Sequence, residues 1–187
     1  MNSERIAPFI ALGNILREIS NTESKEIYES ATQLASHVPR VIRHNGWFDE
    51  DNVNRALAAI ANMLRSPSLQ QWIENYDHRN ANPQRVGVLL AGNIPLVGFH
   101  DFLCVLTSGN TFVGKLSSKD DQLLPLLANL LVEIEPGLSS RIEFTDGVLE
   151  KIDALIATGS DNTSTHIEYY FGQYPNIIRK NRNAVAV

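Results

Sequence analysis

The sequence contains a single cysteine, Cys104, among 187 residues. One thiol excludes an intramolecular disulfide framework, which fits a reducing compartment. Positive charge is also scarce, because 21 Asp and Glu outnumber 16 Lys and Arg and leave a net charge of −5. This balance disfavours a nucleic-acid partner or an anionic membrane surface, although it is compatible with a local anion site.

Long apolar runs are missing as well. The most apolar window, residues 86–116, is interrupted by Gly92, Pro95 and Asp101 among others. It never reaches the ~20 apolar residues that a membrane-spanning helix needs. The N-terminus leads into an amphipathic stretch without the apolar centre of a signal peptide, so we expect a cytoplasmic protein.

Metal-binding patterns are absent too. None of the five histidines has a partner at helical ligand spacing, and no cluster of Cys and His occurs. We therefore predict no metal site. Neither standard phosphate-binding fingerprint, Gly-x-Gly-x-x-Gly or the Walker lysine loop, is present.

The N-terminal part of the chain favours helices. Ser20 and Glu23 have the spacing of a capping box, which predicts the start of a second helix. Pro39 is expected to disturb that helix near its end, and Asp49 is predicted to cap a third helix. We assign residues 1–80 to an N-terminal helical segment.

The pattern changes in the second half, where short apolar runs alternate with helical stretches. Such alternation predicts an α/β fold with a Rossmann-like parallel sheet flanked by helices. We assign residues 81–187 to a dinucleotide-binding domain, with ligands expected at the carboxyl ends of the strands. The predicted strands are 85–90, 111–115, 141–144, 153–157 and 184–187, and the predicted helices are 96–108, 122–134 and 162–171.

Three loops that follow predicted strands could carry chemistry. After the first strand, Asn93 offers an amide donor that could stabilise an oxyanion, although an ordinary strand-to-helix turn explains Asn and Gly there at least as well. Lys115 ends a buried strand, where it could meet a phosphate or ribose or could simply be solvated. Residues 156–160 join a strand to a helix whose N-terminus would suit a pyrophosphate.

Two further features favour structural roles. Cys104 lies in an apolar helical stretch, so we expect a core thiol without the exposure that a nucleophile needs. The basic residues 179–182 form a short run, which is more typical of a solvated turn than of a nucleic-acid patch.

The order of the three loops is more specific than any one of them. Residues 88–96, 108–115, 157–160 and 178–187 together resemble the aldehyde dehydrogenase superfamily, and in detail they are similar to the long-chain acyl-CoA reductase (LuxC-like) family. The resemblance covers about residues 85–187. The helical N-terminal part fits the same family more loosely.

The resemblance implies roles for individual residues. Asn93 would donate to the oxyanion of the reaction, and Ala91, Gly92 and Asn93 would line the cofactor cleft. Lys115 would hold the adenosine ribose or its 2′-phosphate. Thr158, Gly159 and Ser160 match the strand end and helix start beside the pyrophosphate.

The resemblance also implies which cofactor is used. NAD-preferring relatives usually carry a carboxylate three residues after the lysine that corresponds to Lys115, whereas this sequence has Ser118 there, preceded by Ser117. A carboxylate would repel a 2′-phosphate, while a serine can donate to it. We therefore expect NADPH to be preferred over NADH.

The family chemistry is the reduction of a fatty acyl-CoA, or another acyl carrier, to an aldehyde through a cysteine thioester. The resemblance places the nucleophile downstream of residues 179–181, and Cys104 lies on the wrong side of the motif order. We expect this chain to be the cofactor-binding portion of such a reductase and to be inactive alone, and we expect the full-length protein to form a homo-oligomer. The alternatives are a non-catalytic nucleotide-binding or regulatory module, a helical interaction domain fused to a structural α/β unit, or a reductase of another acyl donor.

Overall fold

The computed structural model describes residues 2–19, 28–76, 82–158 and 161–179. Four helices come first, and a parallel sheet with its own helices follows. The helices are α1 (Asn2–Ile19), α2 (Glu29–His44), α3 (Glu50–Met63), α4 (Ser66–Glu74), α5 (Phe99–Thr107), α6 (Leu123–Ile134) and α7 (Asp161–Phe171). The strands are β1 (Arg85–Leu89), β2 (Thr111–Lys115), β3 (Ile142–Thr145), β4 (Ala154–Thr158) and β5 (Asn176–Arg179), and a 3-10 helix spans Pro136–Arg141.

The five strands form one sheet in the order β3-β2-β1-β4-β5, and every neighbouring pair is parallel. In chain order, β2 and β3 are added on one side of β1, and β4 and β5 are added on its other side. The predicted parallel α/β sheet flanked by helices is thereby confirmed. The point where the strand order reverses lies between β1 and β4, which is where such sheets bind ligands.

Apolar side chains cover both faces of the sheet. Val88 and Phe112 belong to a large core shared with α1, α2, α5 and α6, whereas Val113, Leu155 and Ala157 lie in a smaller core with α7. Phe102 of α5 is fully buried in the larger core. The helical N-terminal part and the sheet therefore share one core.

Several helix boundaries differ from the expectation. Tyr28 is extended and α2 begins at Glu29, while Ser20 and Glu23 lie outside the described residues. Pro39 does not end the helix, which continues to His44 because its buried apolar face outweighs one missing hydrogen bond. The prediction that Asp49 caps α3 is confirmed, since Asn52 N donates to Asp49 Oδ1 at 2.6 Å.

Two predictions in the second half need correction. The stretch predicted as helix from residue 96 forms a loop as far as Gly98, because Leu96 adopts a φ of +57° that a helix cannot contain. Arg179, the first residue of the turn expected at 179–182, is instead the last residue of β5, where it pairs with Thr158. Residues 180–187, and with them the strand predicted at 184–187, lie outside the described part.

Of the helices in the described part of the chain, none combines the length and the apolar character that a membrane span requires.

Candidate functional site

The carboxyl edge of the sheet brings together most of the residues singled out from the sequence. Because all strands run parallel, the ends of β1, β2 and β4 meet at this edge. The residues placed there are Ala91, Gly92 and Asn93 after β1, Lys115, Ser117 and Ser118 at and after β2, and Thr158 at the end of β4. Gly159 and Ser160 lie outside the described residues.

A cleft of about 1050 Å³ opens at this edge. Lys115, Ser117 and Ser118 line it, whereas Ala91, Gly92, Asn93 and Thr158 lie outside its lining. The residues at and after β2 therefore line the cleft, whereas residues 91–93 of the loop after β1 lie outside its lining. The other lining residues are His44, Leu89, Leu90, Leu116, Asp121, Phe144, Thr145 and Asp146.

Lys115 is anchored at the end of β2. Its Nζ donates to the carbonyl oxygens of Asp146 at 2.7 Å and Gly147 at 2.6 Å, both in the loop after β3. An ammonium group has three N–H donors, so these carbonyls use two of them. The third is available to a ligand oxygen in the cleft.

The loop after β1 is held tightly on one side. Gly92 is buried, and a methyl group there would lie 2.8 Å from Ser117 Cβ and 3.0 Å from Lys119 Cβ. Only a residue without a side chain allows the two loops to approach so closely. Asn93, the next residue, is exposed, so its side chain can reach a ligand outside the cleft.

Asp120, in the loop after β2, contacts the loop after β1. Its carboxylate accepts hydrogen bonds from the backbone N–H groups of Leu96 and Leu123. Burial nevertheless raises the pKa of this carboxyl above its ordinary value. Asp120 thus ties the left-handed turn at Leu96 to the first turn of α6.

The charges around the cleft are mixed. Lys115 supplies a cation and His44 an imidazole, while the carboxylates of Asp121 and Asp146 belong to the same lining. Such a mixture suits ribose hydroxyl groups, which both donate and accept hydrogen bonds. The prediction of the cofactor considered only Ser118 and overlooked Asp121, an acidic residue three positions further along the chain that also lines the cleft.

An ion pair at the same edge also escaped the sequence reading. Arg179 at the end of β5 makes two hydrogen bonds of 2.8 Å to the carboxylate of Asp101 in the first turn of α5. The Asp101 side chain is 10% exposed and that of Arg179 is 39% exposed. A lone acidic residue in an otherwise apolar helix was the available signal, because such a group is rarely buried without a partner.

Cys104 is half-buried, so the prediction that it is a core thiol is wrong. It faces an apolar groove of about 660 Å³ between α5 and strands β4 and β5, with His100 Nδ1 3.7 Å from its Sγ. Burial raises the pKa of the Cys104 thiol to about 11, so the thiol is protonated at neutral pH. Among the described residues, no group of three or more His, Cys, Asp or Glu is arranged to hold a metal ion.

Comparison with known families decides where the chain belongs. Residues 17–178 match the family described as acyl-CoA reductase (LuxC). The chain belongs to the acyl-CoA reductase (LuxC) family. The resemblance that the loops suggested is thereby confirmed, and the match also includes most of the helical N-terminal part. No curated protein matches the chain significantly.

Solved structures similar to this LuxC-family chain share its fold at low sequence identity. Proline utilization A from Corynebacterium freiburgense has a TM-score of 0.64 and 11% identity, and the match covers 97% of this chain and 18% of that one. Aldehyde dehydrogenase 21 from Physcomitrella patens has a TM-score of 0.57 and 15% identity over 94% of this chain and 40% of that one. Indole-3-acetaldehyde dehydrogenase has a TM-score of 0.59 and 17% identity over 98% and 44%, respectively. The LuxC-family chain therefore has an aldehyde dehydrogenase-like fold and spans less than half the length of these structures.

Proposed function

We propose that this chain supplies the NADPH-binding part and the oxyanion donor of an enzyme that reduces fatty acyl-CoA to aldehyde. The observation that carries the proposal is the cleft at the carboxyl edge of the sheet, in which Lys115, Ser117 and Ser118 converge in a chain of the LuxC family. Its volume of about 1050 Å³ is at the upper end of the range for cofactor sites. The single cysteine is in keeping with a cytoplasmic location.

The side chains in the cleft fit a dinucleotide. The free N–H of Lys115 can donate to the adenosine ribose or its 2′-phosphate, and the hydroxyl groups of Ser117 and Ser118 can donate to the same oxygens. Thr158 lies just before α7, whose N-terminal N–H groups suit a pyrophosphate together with Gly159 and Ser160. The bound nicotinamide would supply the hydride.

Asn93 would act on the acyl group. When a thiolate attacks the acyl-CoA carbonyl, negative charge develops on the carbonyl oxygen, and an amide N–H stabilises that charge. CoA would then leave as its thiolate and take up a proton from solvent, and hydride addition to the enzyme thioester would release the aldehyde and return the thiolate. Because the Cys104 thiol is protonated at neutral pH, we do not assign it as the nucleophile of this reaction.

Residues 1–80 and 81–187 would then have separate tasks. We propose that the second segment binds the cofactor, while the helical segment buttresses it. The Ser30 hydroxyl of α2 hydrogen-bonds to the Glu133 carboxylate of α6, which joins the two segments on the face opposite α7.

Titration with NADPH and NADH tests the cofactor proposal directly. We expect saturable binding by the 187-residue protein, tighter for NADPH, and at least a tenfold weaker affinity in Lys115→Ala. Lys151→Ala is the matched control, because the Lys151 carbonyl contacts Arg85 at the opposite edge of the sheet. Absence of binding to both nucleotides, or equal weakening by both substitutions, would refute the proposal.

The alternative of a non-catalytic nucleotide-binding module has one observation in its favour, the absence of a second cysteine from the sequence. An antibody against this chain, followed by intact-mass measurement of the endogenous protein, separates the two. A product much heavier than 20.8 kDa that converts acyl-CoA to aldehyde supports the reductase. A product of 20.8 kDa that binds NADPH without turnover supports the binding module.

A further inference from the structure

The end of α2 reaches the carboxyl edge of the sheet. His44, the last residue of that helix, lines the cleft, and Asn45 directly after it is 3% exposed. The Lys119 ammonium, from the loop after β2, lies 5.8 Å from the ring centroid of Trp47. Residues 44–47 therefore contact both loops of the candidate site.

Asn45 uses both ends of its side-chain amide. Its Nδ2 donates to the carbonyl oxygen of Gly92 at 2.9 Å, and its Oδ1 accepts from the backbone N–H of Trp47 at 3.0 Å. A buried amide is costly to keep unless it is hydrogen-bonded, so these bonds fix its orientation. Asn45 thus links the helical segment to the β1 loop.

A hydrogen bond to the Gly92 carbonyl affects the backbone orientation at Asn93. The carbonyl of Gly92 and the N–H of Asn93 belong to one planar peptide unit, so fixing the carbonyl also fixes the direction in which the chain enters Asn93. Ser117 and Lys119 also lie close to Gly92, so the residue contacts both Asn45 and the loop after β2. Asp120 holds the far end of the same loop through the N–H of Leu96.

We propose that Asn45 is a positioning residue that sets the orientation of Asn93 in the reductase site. The inference rests on the proposed function for its catalytic meaning, whereas the positional effect stands on the contacts alone. Asn45 touches neither the acyl group nor the cofactor. It acts through the Gly92 peptide, as a contribution of the helical segment to catalysis.

Asn45→Asp is the sharpest variant, because it keeps the shape and the acceptor for Trp47 while replacing the donor to Gly92 by an oxygen. Asn75→Asp is its matched control. Asn75 also caps a helix and donates from Nδ2 to a backbone carbonyl, that of Gln71, at 2.9 Å, but it is exposed and lies at the end of α4. Asn45→Ala removes both hydrogen bonds and serves as a second variant.

The first readout is the backbone order parameter of Asn93 from ¹⁵N relaxation in the 187-residue protein. We expect a fall from about 0.85 to below about 0.6 in Asn45→Asp, with the amides of β1 and β2 unchanged and Asn75→Asp like wild type. The second readout is kcat for aldehyde formation from acyl-CoA, measured on the protein as its source cells make it. We expect a loss of about 10- to 100-fold for Asn45→Asp with the KM for NADPH within about threefold.

The readouts separate failure of this inference from failure of the proposed function. An unchanged order parameter at Asn93, or a uniform fall along the chain, overturns the positioning role whatever the enzyme does. Loss of order at Asn93 in a protein that binds neither nucleotide supports the positional effect and refutes the reductase. If both Asn45 variants fail to fold, hydrogen exchange of the Nδ2 protons of wild-type Asn45 is measured instead. Exchange as fast as that of the exposed Asn75 side chain overturns the inference, and slower, protected exchange supports it.

Discussion

The guanidinium of Arg179, at the carboxyl end of β5, donates two hydrogen bonds to the carboxylate of Asp101 in the first turn of α5, from Nη1 to Oδ2 and from Nη2 to Oδ1, both at 2.8 Å. The pair joins the last described strand to the helix that follows the Asn93 loop. This contact raises the pKa of Arg179 further above its ordinary value, chiefly through the hydrogen bond to Asp101. Such a two-bond contact fixes direction as well as distance.

Removal of one partner should therefore cost stability. We expect Asp101→Asn to lower the free energy of unfolding by about 1–3 kcal/mol, because the guanidinium loses its partner in a half-buried position. Urea titration measures the change. Asp51→Asn is the control, since the Asp51–Arg55 pair is highly exposed, and it should show little or no loss. Equal effects of the two substitutions would contradict the assignment of Asp101 as a structural anchor.

Cys104 should react slowly with alkylating agents. With a pKa of about 11, its thiolate fraction at pH 8 is roughly 100-fold or more below that of an ordinary cysteine. Mass spectrometry after iodoacetamide treatment should show slow modification that accelerates toward pH 11. Reaction at the ordinary rate in the folded protein, matching the rate in denaturant, would show that the thiol is activated.

The Arg85–Glu143 pair should make stability depend on acidity. The hydrogen bond from Arg85, with distances of 2.6 and 2.8 Å, lowers the pKa of the Glu143 carboxyl. A carboxyl whose pKa is lowered by folding contributes stability above its unfolded value, near 4.3, and loses that contribution as the pH falls through the folded value. We expect Glu143→Gln to be less stable than wild type at pH 7, with the difference vanishing at a strongly acidic pH at which Glu143 is protonated in both the folded and the unfolded state. Thermal unfolding at both pH values measures this, and a difference that grows toward low pH would contradict the sign.

A side chain at Gly92 should distort the candidate site. The added methyl group of Gly92→Ala would lie within 3.0 Å of Ser117 Cβ and Lys119 Cβ, so the β2 loop must move. We expect a loss of about 1–3 kcal/mol of stability together with weaker NADPH binding. Gly46→Ala is the control, because nothing lies within 4 Å of a methyl group there. Calorimetry and nucleotide titration on both variants test the difference.

The carboxylate of Asp121 should oppose a 2′-phosphate. It lines the cleft with Ser118, and like charges in one site repel each other. We expect Asp121→Asn to tighten NADPH binding about threefold to tenfold and to leave NADH binding nearly unchanged. Asp153→Asn is a control at the opposite edge, where the Asp153 carboxylate accepts from Arg85 N. Equal shifts for both nucleotides would mean that Asp121 does not face the 2′ position.

The elements that could be predicted from the sequence are those whose apolar residues are mostly buried. Helix α6 was predicted to within one residue, because seven of its side chains are buried leucines or alanine. Strand β2 was predicted at 111–115, its observed bounds. In contrast, β5 has only four residues, with Ile177 55% exposed, and the basic residues beside it favoured a turn.

The residues of the candidate site could be predicted from the sequence less completely than the fold. Lys115 and the two serines follow a strand, so their edge of the sheet could be predicted from the parallel pattern. Asn45 carries no comparable signal, since an asparagine after a helix is ordinary and its partner at Gly92 is distant in the chain. Contacts of this kind depend on how separate segments meet in space, which local periodicity does not encode.

The position of β1 at the centre of the sheet constrains the order of events while the protein is synthesised. Val86 can pair with Phe112 once both residues have been synthesised, but its other neighbour, Ala154, follows Phe112 by 42 residues in the chain. Until then one edge of the central strand has no partner and can attract other nascent chains. The central strand therefore has one unpaired edge while residues 113–154 are synthesised, and a chaperone that shields this edge should raise the yield of native protein.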